Sequence, residues 1–406
     1  MRLLRQLEGP PLRSTALPRF IVLYAAMYAA FGAASPFLPA FVSARGLPAE
    51  QLGLVLGAGT AIRLLTAPLA GRIGDVLQGL RGVLVVCVAL AAVVTLGYLP
   101  AHGFESFLAL SLGHAAALGP APVLADALAL GAAAPPSSSG RRGFEYGWVR
   151  GTGSAAFIGG TLLSGQAVRA AGLDVIVWLQ ALLLGAAAGA VLLVPALRHA
   201  HTTAAVRAPA GGVLVLLRRS RFRRLVLVAA LVLGSHAMHD AFAVIRWSAA
   251  GVRPTAVSIL WSEAVAAEVL VFFRIGPALV SWLTPAGAIA VAAVAGVLRW
   301  TVMAQRTDVM ALALVQPLHG LTFALLHLAS MRVIARTVPP GLEGTAQALY
   351  GTVGIGAATA VLTFISGVLY ARVGAHGFWG MAALCALALP LTWPLRQPAG
   401  SASRTQ

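Results

Sequence analysis

The sequence predicts an all-α membrane protein of twelve transmembrane helices, arranged as two pseudo-symmetric bundles of six. Hydrophobic residues make up 59% of the 406 residues and charged residues only 10%, whereas an ordinary soluble domain has about 25% charged residues. Apolar runs of the roughly 20 residues that cross a bilayer recur along the whole chain. The longest polar connection follows the sixth run, which divides the helices evenly.

The apolar runs are separated by short segments with turn or charge signals. Glycine and proline mark several of the breaks, as at 45–48, 251–254 and 339–341. The predicted spans are 19–43, 50–72, 82–101, 105–131, 145–169, 173–195, 222–250, 255–274, 279–303, 309–334, 343–371 and 374–395. We therefore expect an N-terminal six-helix bundle at 1–195, a cytoplasmic central linker at 196–221 and a C-terminal six-helix bundle at 222–406.

The distribution of arginine predicts how the chain crosses the membrane. All 29 basic residues are arginine. If the N-terminus is cytoplasmic, 20 arginines fall in cytoplasmic segments and 5 in outer loops. Positive charge accumulates on the cytoplasmic side of membrane proteins, so this ratio predicts that both termini are cytoplasmic. The net charge of +17 therefore reflects topology, and we expect no nucleic-acid partner.

Several classes of chemistry are not expected from this composition. The chain has no lysine, which excludes Schiff-base and lysine-nucleophile catalysis. Cys87 and Cys385 lie inside apolar runs and fit no metal-binding spacing. No phosphate-binding loop is present, so ATP does not drive a reaction here. We expect a multi-pass protein of the bacterial inner membrane, monomeric in membrane lipid, without cofactor, metal or enzymatic activity.

The connection between the second and third spans resembles a known signature. In segment 71–81, Gly71, Asp75 and Arg81 are similar to the glycine, aspartate and basic residues that follow helix 2 in the major facilitator superfamily. Gln78 and Val76 depart from that pattern, where a glycine and a basic residue are usual. The resemblance implies the two-bundle fold of that superfamily, in which this loop takes part in conformational change.

A narrower resemblance extends over nearly the whole chain. Segments 146–150, 261–268, 298–300 and 318–329 resemble the 3-phenylpropionate transporter branch, which is related to proton symporters of the lactose permease type. The resemblance implies proton-coupled symport of a small organic solute such as an aromatic acid. A sugar or nucleoside symporter, a drug efflux antiporter and a non-transporting receptor remain as alternatives.

Two polar residues near one end of helices 4 and 5 are predicted to meet. Charged residues inside a bilayer are expensive and usually face a partner or a wet cavity. Asp126 and Arg150 lie at similar depth on adjacent antiparallel helices, and an arginine fork binds carboxylates in a bidentate manner. We expect this pair to contact substrate, because the resemblance implies the same role. Tyr24 and Tyr28 share a face of helix 1 and are candidate cavity-lining residues.

Glu268 is the predicted proton carrier. It lies among apolar residues of helix 8, where a carboxylate is expensive unless it binds a proton or a partner. The resemblance also implies an acidic residue on this helix that serves proton or ligand binding. Glu263 precedes it by five residues and points elsewhere on the helix, so it is the weaker candidate.

Histidines on helices 7 and 10 are the other candidates for proton coupling. His319 and His327 share a broad face of helix 10, and histidine titrates near physiological pH. His236 and Asp240 are four residues apart and are predicted to stack on one face of helix 7. Too few further ligands lie nearby for a metal site. Asp240 is therefore expected to join the polar network, paired with a helix 10 histidine.

Three further arginines lie within the predicted spans. We expect Arg246 and Arg299 to extend toward the membrane surface or to pair structurally, because both lie toward helix ends. Arg63 lies midway along helix 2, where an unpaired charge is expensive. It therefore requires a partner that the sequence does not identify.

Overall fold

The computed structural model describes residues 16–77, 79–133, 144–195 and 211–395. All regular secondary structure in these ranges is helical. Glycine or proline lies at several breaks between consecutive helical segments of one membrane crossing.

Helices 1 to 6 form the first half of the molecule. Helix 1 is broken at residues 35–37, and helix 4 is broken around Gly119 and Pro120, where proline cannot donate the helical hydrogen bond. The helices are Ala16–Ala34 with Leu38–Ala44 (helix 1), Ala49–Val76 (helix 2), Leu80–Leu96 (helix 3), Gly103–Leu118 with Ala121–Ala133 (helix 4), Tyr146–Ala171 (helix 5) and Val175–Leu193 (helix 6).

Helices 7 to 12 form the second half. Helix 7 comprises Ser220–Gly234 and His236–Ala249, helices 8 and 9 together form Pro254–Gln305, helix 10 is Val309–Thr337, and helices 11 and 12 together form Glu343–Leu395. In the last stretch, Gly374 adopts a positive φ of 57° after Val373, and the chain turns there. Glycine tolerates this conformation because it has no Cβ.

The boundary between helices 8 and 9 differs from the sequence prediction. The gap predicted at 275–278 is wrong, because the helix continues through Pro277 by way of a π-helical turn, Val271–Ile275. The chain instead turns at Thr284, whose φ is 64° and ψ 158°. Pro285 follows, and proline disfavours helical geometry in the residue before it. Helix 8 is therefore about two turns longer than predicted.

The twelve-helix prediction is confirmed. Within the described residues, eight helical stretches are long and apolar enough to cross a membrane. Two of them, Pro254–Gln305 and Glu343–Leu395, are 52 and 53 residues long and hold two spans each. The shorter helix Leu80–Leu96 and the more polar helix Tyr146–Ala171 complete the set.

The connection between the two halves is only partly described. Residues 196–210 of the predicted linker lie outside the described residues, as do 1–15 and 396–406. A short helix, Gly212–Arg218, occupies the later part of the linker. Gly212 lies so close to the Leu342 side chain that an added Cβ would be 2.6 Å from it. The linker therefore contacts the segment before helix 11, and the domain boundaries stay predictions.

Small residues bring the two halves together at one end. A Cβ on Gly53 of helix 2 would lie 2.7 Å from the Cα of Gly367 on helix 11. Gly165 of helix 5 is similarly close to Ser258 of helix 8. Gly53 and Ser258 lie near the starts of helices 2 and 8, and Gly165 and Gly367 lie near the ends of helices 5 and 11, which run the opposite way. All four residues are therefore on one side of the bundle, and the two halves close against each other on that side. The arginine distribution predicts that this is the outer end.

Candidate substrate and proton site

Two adjoining cavities lie between the halves of the molecule. The first cavity has a volume of about 460 Å³ and the second about 320 Å³, and ligand pockets in proteins typically span 300–1,000 Å³. The residues that line both cavities come from helices 1, 5, 7 and 11, and they are Ser35, Phe157, Asp240 and Thr359. The cavities therefore form one chamber whose walls come from both halves.

The second cavity contains an acid–histidine pair at the contact of helices 8 and 10. Gly320 lies against the helix 8 backbone, and an added Cβ would be 2.6 Å from the carbonyl oxygen of Ala267. This close approach brings the neighbouring residues together, so that Nε2 of His319 lies 3.3 Å from Oε2 of Glu268. A π-helical turn begins at Gly320, and such turns are frequent at functional sites.

Arg299 of helix 9 lies behind this pair and is completely buried. Its Nη1 is 3.2 Å from Nδ1 of His319, and its Nη2 donates to Oε1 of Gln316 at 2.9 Å. Nη2 also lies 3.5 Å from Nε2 of His239. Arginine has donors only, so both histidine nitrogens that face it are acceptors without a proton.

This arrangement fixes the tautomer of each histidine. In His319 the hydrogen is on Nε2, the nitrogen that faces Glu268. In His239 the hydrogen is on Nδ1, which donates to Oδ1 of Asp240 at 3.0 Å. One buried arginine thus stands between two neutral histidines, each of which presents an N–H to a carboxylate that lines the chamber.

The structure places the remaining predicted histidines differently. His236 lines the second cavity, and its ring centroid is 5.1 Å from that of His319. Asp240 is bonded to its neighbour His239, not to His236 or a helix 10 histidine, so that predicted pairing is wrong. His327 packs against Phe272 and lines neither cavity. Among the described residues, no three potential ligands are placed to hold a metal ion.

Asp126 and Arg150 form a second polar cluster in the first half. Oδ1 of Asp126 accepts hydrogen bonds from Tyr24 at 2.5 Å and from Tyr146 at 2.7 Å. Nη1 of Arg150 lies 3.7 Å from the same oxygen and donates to the hydroxyl of Tyr28 at 2.5 Å. The structure therefore brings together all four residues predicted here, and the two charges balance each other.

The packing of helices 1 and 5 explains this geometry. A Cβ on Gly153 would lie 3.1 Å from the ring of Tyr28, so the glycine leaves room for that ring beside Arg150. Tyr28 also contacts Phe31 with a centroid distance of 5.4 Å. Phe31 lines the first cavity, whereas Tyr24 is fully buried. The cluster therefore adjoins the chamber, and the buried Tyr24 holds Asp126 in place from the side that faces away from the chamber.

Arg63 projects from the middle of helix 2 into the first cavity. His114 and Gln180 line the same wall, with 3.5 Å between their facing nitrogens. Within the described part of the chain, no carboxylate oxygen lies within 4.0 Å of Arg63 and no hydrogen bond engages its guanidinium. The partner expected from the sequence is therefore not supplied by the described residues.

Arg299 is the centre of the network, a position that the sequence did not reveal. Of the two alternatives expected for it, extension to the membrane surface does not occur, and the structure shows the other, pairing inside the protein, because its side chain is fully buried and contacts residues of helices 7 and 10. Gln316 was also missed, although it is completely buried and contacts both Arg299 and His239. A signal was present in the sequence, because helix 9 carries no acidic residue that could balance this arginine.

The residues of the predicted conformational loop lie at the ends of helices 2 and 3. Gly71 and Asp75 belong to the last turns of helix 2, and Gln78 lies outside the described residues. Nη1 of Arg81 donates to the carbonyl oxygen of Val194 at 3.0 Å. Arg81 thereby satisfies a free carbonyl at the end of helix 6 and joins this helix to helix 3.

Twelve membrane-spanning helices around a chamber lined by charged side chains are the architecture of multi-pass transporters of small molecules. The chain belongs to the MFS_1 like family, whose model matches residues 17–381. It is 32% identical over 366 residues to the "Probable 3-phenylpropionic acid transporter" of Escherichia coli (strain K12), with 88% of this chain and 92% of the relative covered.

Solved structures show the same architecture. The nucleoside transporter NupG superposes with a TM-score of 0.79 at 15% identity, over 94% of this chain and 98% of that one. A D-xylose-proton symporter superposes with a TM-score of 0.67 at 12% identity, over 96% and 98% of the two chains. At these identities the likeness establishes the fold and does not identify the solute.

Proposed function

We propose that the protein is a proton-coupled symporter that moves an aromatic monocarboxylate, such as 3-phenylpropionate, across the bacterial inner membrane. The observation that carries this proposal is the buried Arg299 with its two histidine–carboxylate pairs at the chamber wall. The substrate class comes from the relative named as a 3-phenylpropionic acid transporter. We further propose a monomer in membrane lipid with both termini in the cytoplasm.

Charge balance supports a proton site in the second cavity. Arg299 contributes one positive charge beside the two carboxylates of Asp240 and Glu268, so the group has one net negative charge when both are ionised. Net charge inside a membrane costs about 2.5–3.5 kcal/mol or more. This excess of negative charge beside Arg299 favours proton binding once a carboxylate substrate is loaded, and we assign the proton to Glu268 with His319 as the neighbouring donor and acceptor.

The other histidines take secondary roles in this proposal. His236 lies beside His319 at the cavity wall and completes the path by which a proton reaches the pair. His327 is two turns further along helix 10, and we keep it as a relay position between the pair and the cytoplasm. Asp240 lines both cavities, so it links the proton site in the second cavity to the first cavity.

The Asp126–Arg150 cluster is our proposed contact for neutral polar groups of the substrate, such as hydroxyl groups. Both side chains are partly accessible, with 32% and 42% of their surface exposed. Tyr28 holds Arg150 and Tyr24 holds Asp126, so these tyrosines orient the charged pair. During transport, we expect the loop that contains Gly71, Asp75 and Arg81 to move as the two halves rock about the chamber.

A sugar or nucleoside symporter is the second candidate. The same cluster offers acceptors from Asp126 and donors from Arg150 and Tyr146, and this combination suits the hydroxyl groups of a neutral ligand. Nothing in the cluster requires a substrate with a net charge, because its own charges cancel. The two candidates therefore differ in which solute competes for transport.

Uptake into proteoliposomes tests the proposal. Purified protein is reconstituted with an acidic exterior, and accumulation of radiolabelled 3-phenylpropionate is measured. We expect accumulation that collapses with a protonophore and is inhibited by other aromatic monocarboxylates, but not by sugars or nucleosides. Inhibition by a sugar or nucleoside, without inhibition by aromatic acids, would favour the second candidate. Absence of flux for every solute would contradict the transporter proposal.

A further inference from the structure

We infer that Arg63 is the anion-binding residue of the first cavity, where it takes the carboxylate of the transported aromatic acid. This inference rests on the proposed function and assigns the substrate carboxylate to a residue outside the Asp126–Arg150 pair. Arg63 is the fifteenth of the 28 residues of helix 2, so it lies near the middle of the membrane crossing. A cation at this depth needs an anion or a wet cavity.

The fold makes space for the Arg63 side chain. An added Cβ on Gly119 would lie 2.8 Å from Cγ of Arg63, so the absence of a side chain at the break in helix 4 lets the arginine pass. The side chain then reaches the first cavity. The arginine is thus presented to the chamber by the local packing and is not turned toward lipid.

The charges of the other arginines near the chamber are already compensated. Arg150 lies 3.7 Å from Asp126, and Arg299 is surrounded by Gln316 and the two histidine–carboxylate pairs. Arg63 has no ion pair within the described ranges, since Asp240 lines the same cavity but lies more than 4.0 Å from its guanidinium. Of the positive charges at the chamber, Arg63 is therefore the one available to an incoming carboxylate.

The remaining lining of the first cavity suits an aromatic acid. Phe31, Phe157 and Tyr98 offer ring surfaces within the same cavity as the guanidinium, and aromatic rings favour stacked or edge-to-face contacts with each other. His114 and Gln180 add polar atoms on the wall. A volume of about 460 Å³ holds a ligand with one ring and a short acid chain.

Counting charges gives a rule for coupling. The chamber contains Arg63 and Arg299 as cations and the two carboxylates at its wall as anions, so the empty, unprotonated form is neutral. A proton alone makes it positive, and a carboxylate substrate alone makes it negative. Both together restore neutrality. Because a net charge inside the membrane is expensive, only the empty and the doubly loaded forms change conformation readily, which gives one proton per substrate.

Binding measurements with a charged and a neutral ligand test this inference. Calorimetric titration of purified full-length protein compares 3-phenylpropionate with 3-phenylpropionamide, which keeps the ring and chain but lacks the charge. Charge-assisted hydrogen bonds are worth about 1.5–3 kcal/mol, so Arg63→Gln should weaken 3-phenylpropionate binding roughly 10- to 100-fold. The same variant should bind the amide within about twofold of wild type. Arg63→Lys, which keeps the charge, should retain part of the affinity.

The control variant is Arg246→Gln. Arg246 is a half-buried arginine of helix 7 that donates to the carbonyl oxygen of Ala304 and lines neither cavity. It should leave the affinity for both ligands unchanged. If the wild-type protein binds 3-phenylpropionate and Arg63→Gln does not weaken that binding, the role of Arg63 is overturned and the proposed function stays intact. Wild-type protein that binds no aromatic carboxylate would overturn both. Equal losses for acid and amide would show that Arg63 acts only on the fold.

Discussion

Glu268 of helix 8 lies 3.3 Å from His319 of helix 10, and both side chains line the second cavity. Nη1 of Arg299 donates to Nδ1 of His319, so the hydrogen of the neutral ring is on Nε2, the nitrogen that faces the carboxylate. The pair is therefore set up to share one proton at the chamber wall.

Replacement of Glu268 by glutamine should uncouple transport from protons. Glutamine keeps the shape and hydrogen-bonding capacity of the side chain but cannot release a proton. We expect Glu268→Gln to lose accumulation of 3-phenylpropionate driven by a pH gradient, while exchange of internal for external substrate continues. Uptake and counterflow in proteoliposomes measure the two activities separately.

Glu263→Gln is the matched control for this experiment. Glu263 is on the same helix but lines neither cavity, so its replacement should leave both activities close to wild type. Accumulation at the wild-type rate in Glu268→Gln would remove this carboxylate from the mechanism. Loss of exchange together with accumulation would mean that Glu268 serves substrate binding instead.

The contact of Gly320 with helix 8 predicts a packing effect. In Gly320→Ala the added methyl group would lie 2.6 Å from the Ala267 carbonyl oxygen, so helices 8 and 10 must separate. Overpacking of this kind costs about 1–3 kcal/mol, and the variant should melt at a lower temperature and transport poorly. Gly351→Ala is the control, because nothing lies within 4 Å of the added atom. Equal melting temperatures for the two variants would refute the packing argument.

Arg299→Lys should disable the network despite its conserved charge. The guanidinium donates to Gln316 and reaches both His239 and His319, and a single ammonium group on a flexible chain cannot match this fork. Loss of a buried partner typically costs about 3–5 kcal/mol, so we expect lower thermal stability and little uptake. Arg246→Lys provides the comparison at a peripheral arginine. Normal uptake by Arg299→Lys would show that the fork geometry is unimportant.

The fold was predictable because each span is identified from the hydrophobicity of about 20 consecutive residues and does not depend on any single side chain. Apolar runs, proline and glycine breaks and the arginine bias identify all twelve spans. The end of helix 8 was not predictable by the same means, because a π-helical turn accommodates Pro277 and moves the turn to Thr284. A proline indicates that a helix is disturbed, but tertiary packing decides whether the helix bends or ends.

The site was predictable only in part, for a related reason. Asp126 and Arg150 meet because adjacent helices place residues of equal depth side by side, which chain order reveals. The pairing of Asp240 with His239 depends on the rotation of helix 7, and the position of Arg299 depends on three helices at once. Sequence periodicity gives the face of a helix but not the neighbour that covers it.

Membrane potential should have little influence on transport. If the empty and the doubly loaded forms are both neutral, no net charge crosses the membrane in either half of the cycle. Uptake at a fixed pH gradient should therefore be the same with and without an interior-negative potential set by potassium and valinomycin. A strong stimulation by the potential would mean that more than one proton accompanies each substrate, which contradicts the charge count at Arg63.

The most direct measurement follows protons and substrate together. Proteoliposomes without an initial pH gradient are supplied with 3-phenylpropionate in a weakly buffered medium, and external pH and internal radiolabel are recorded simultaneously. We predict that the medium becomes more alkaline as substrate enters, with one proton taken up per substrate molecule and no proton movement in Glu268→Gln. Entry of 3-phenylpropionate through the wild-type protein without any change in external pH would contradict proton coupling.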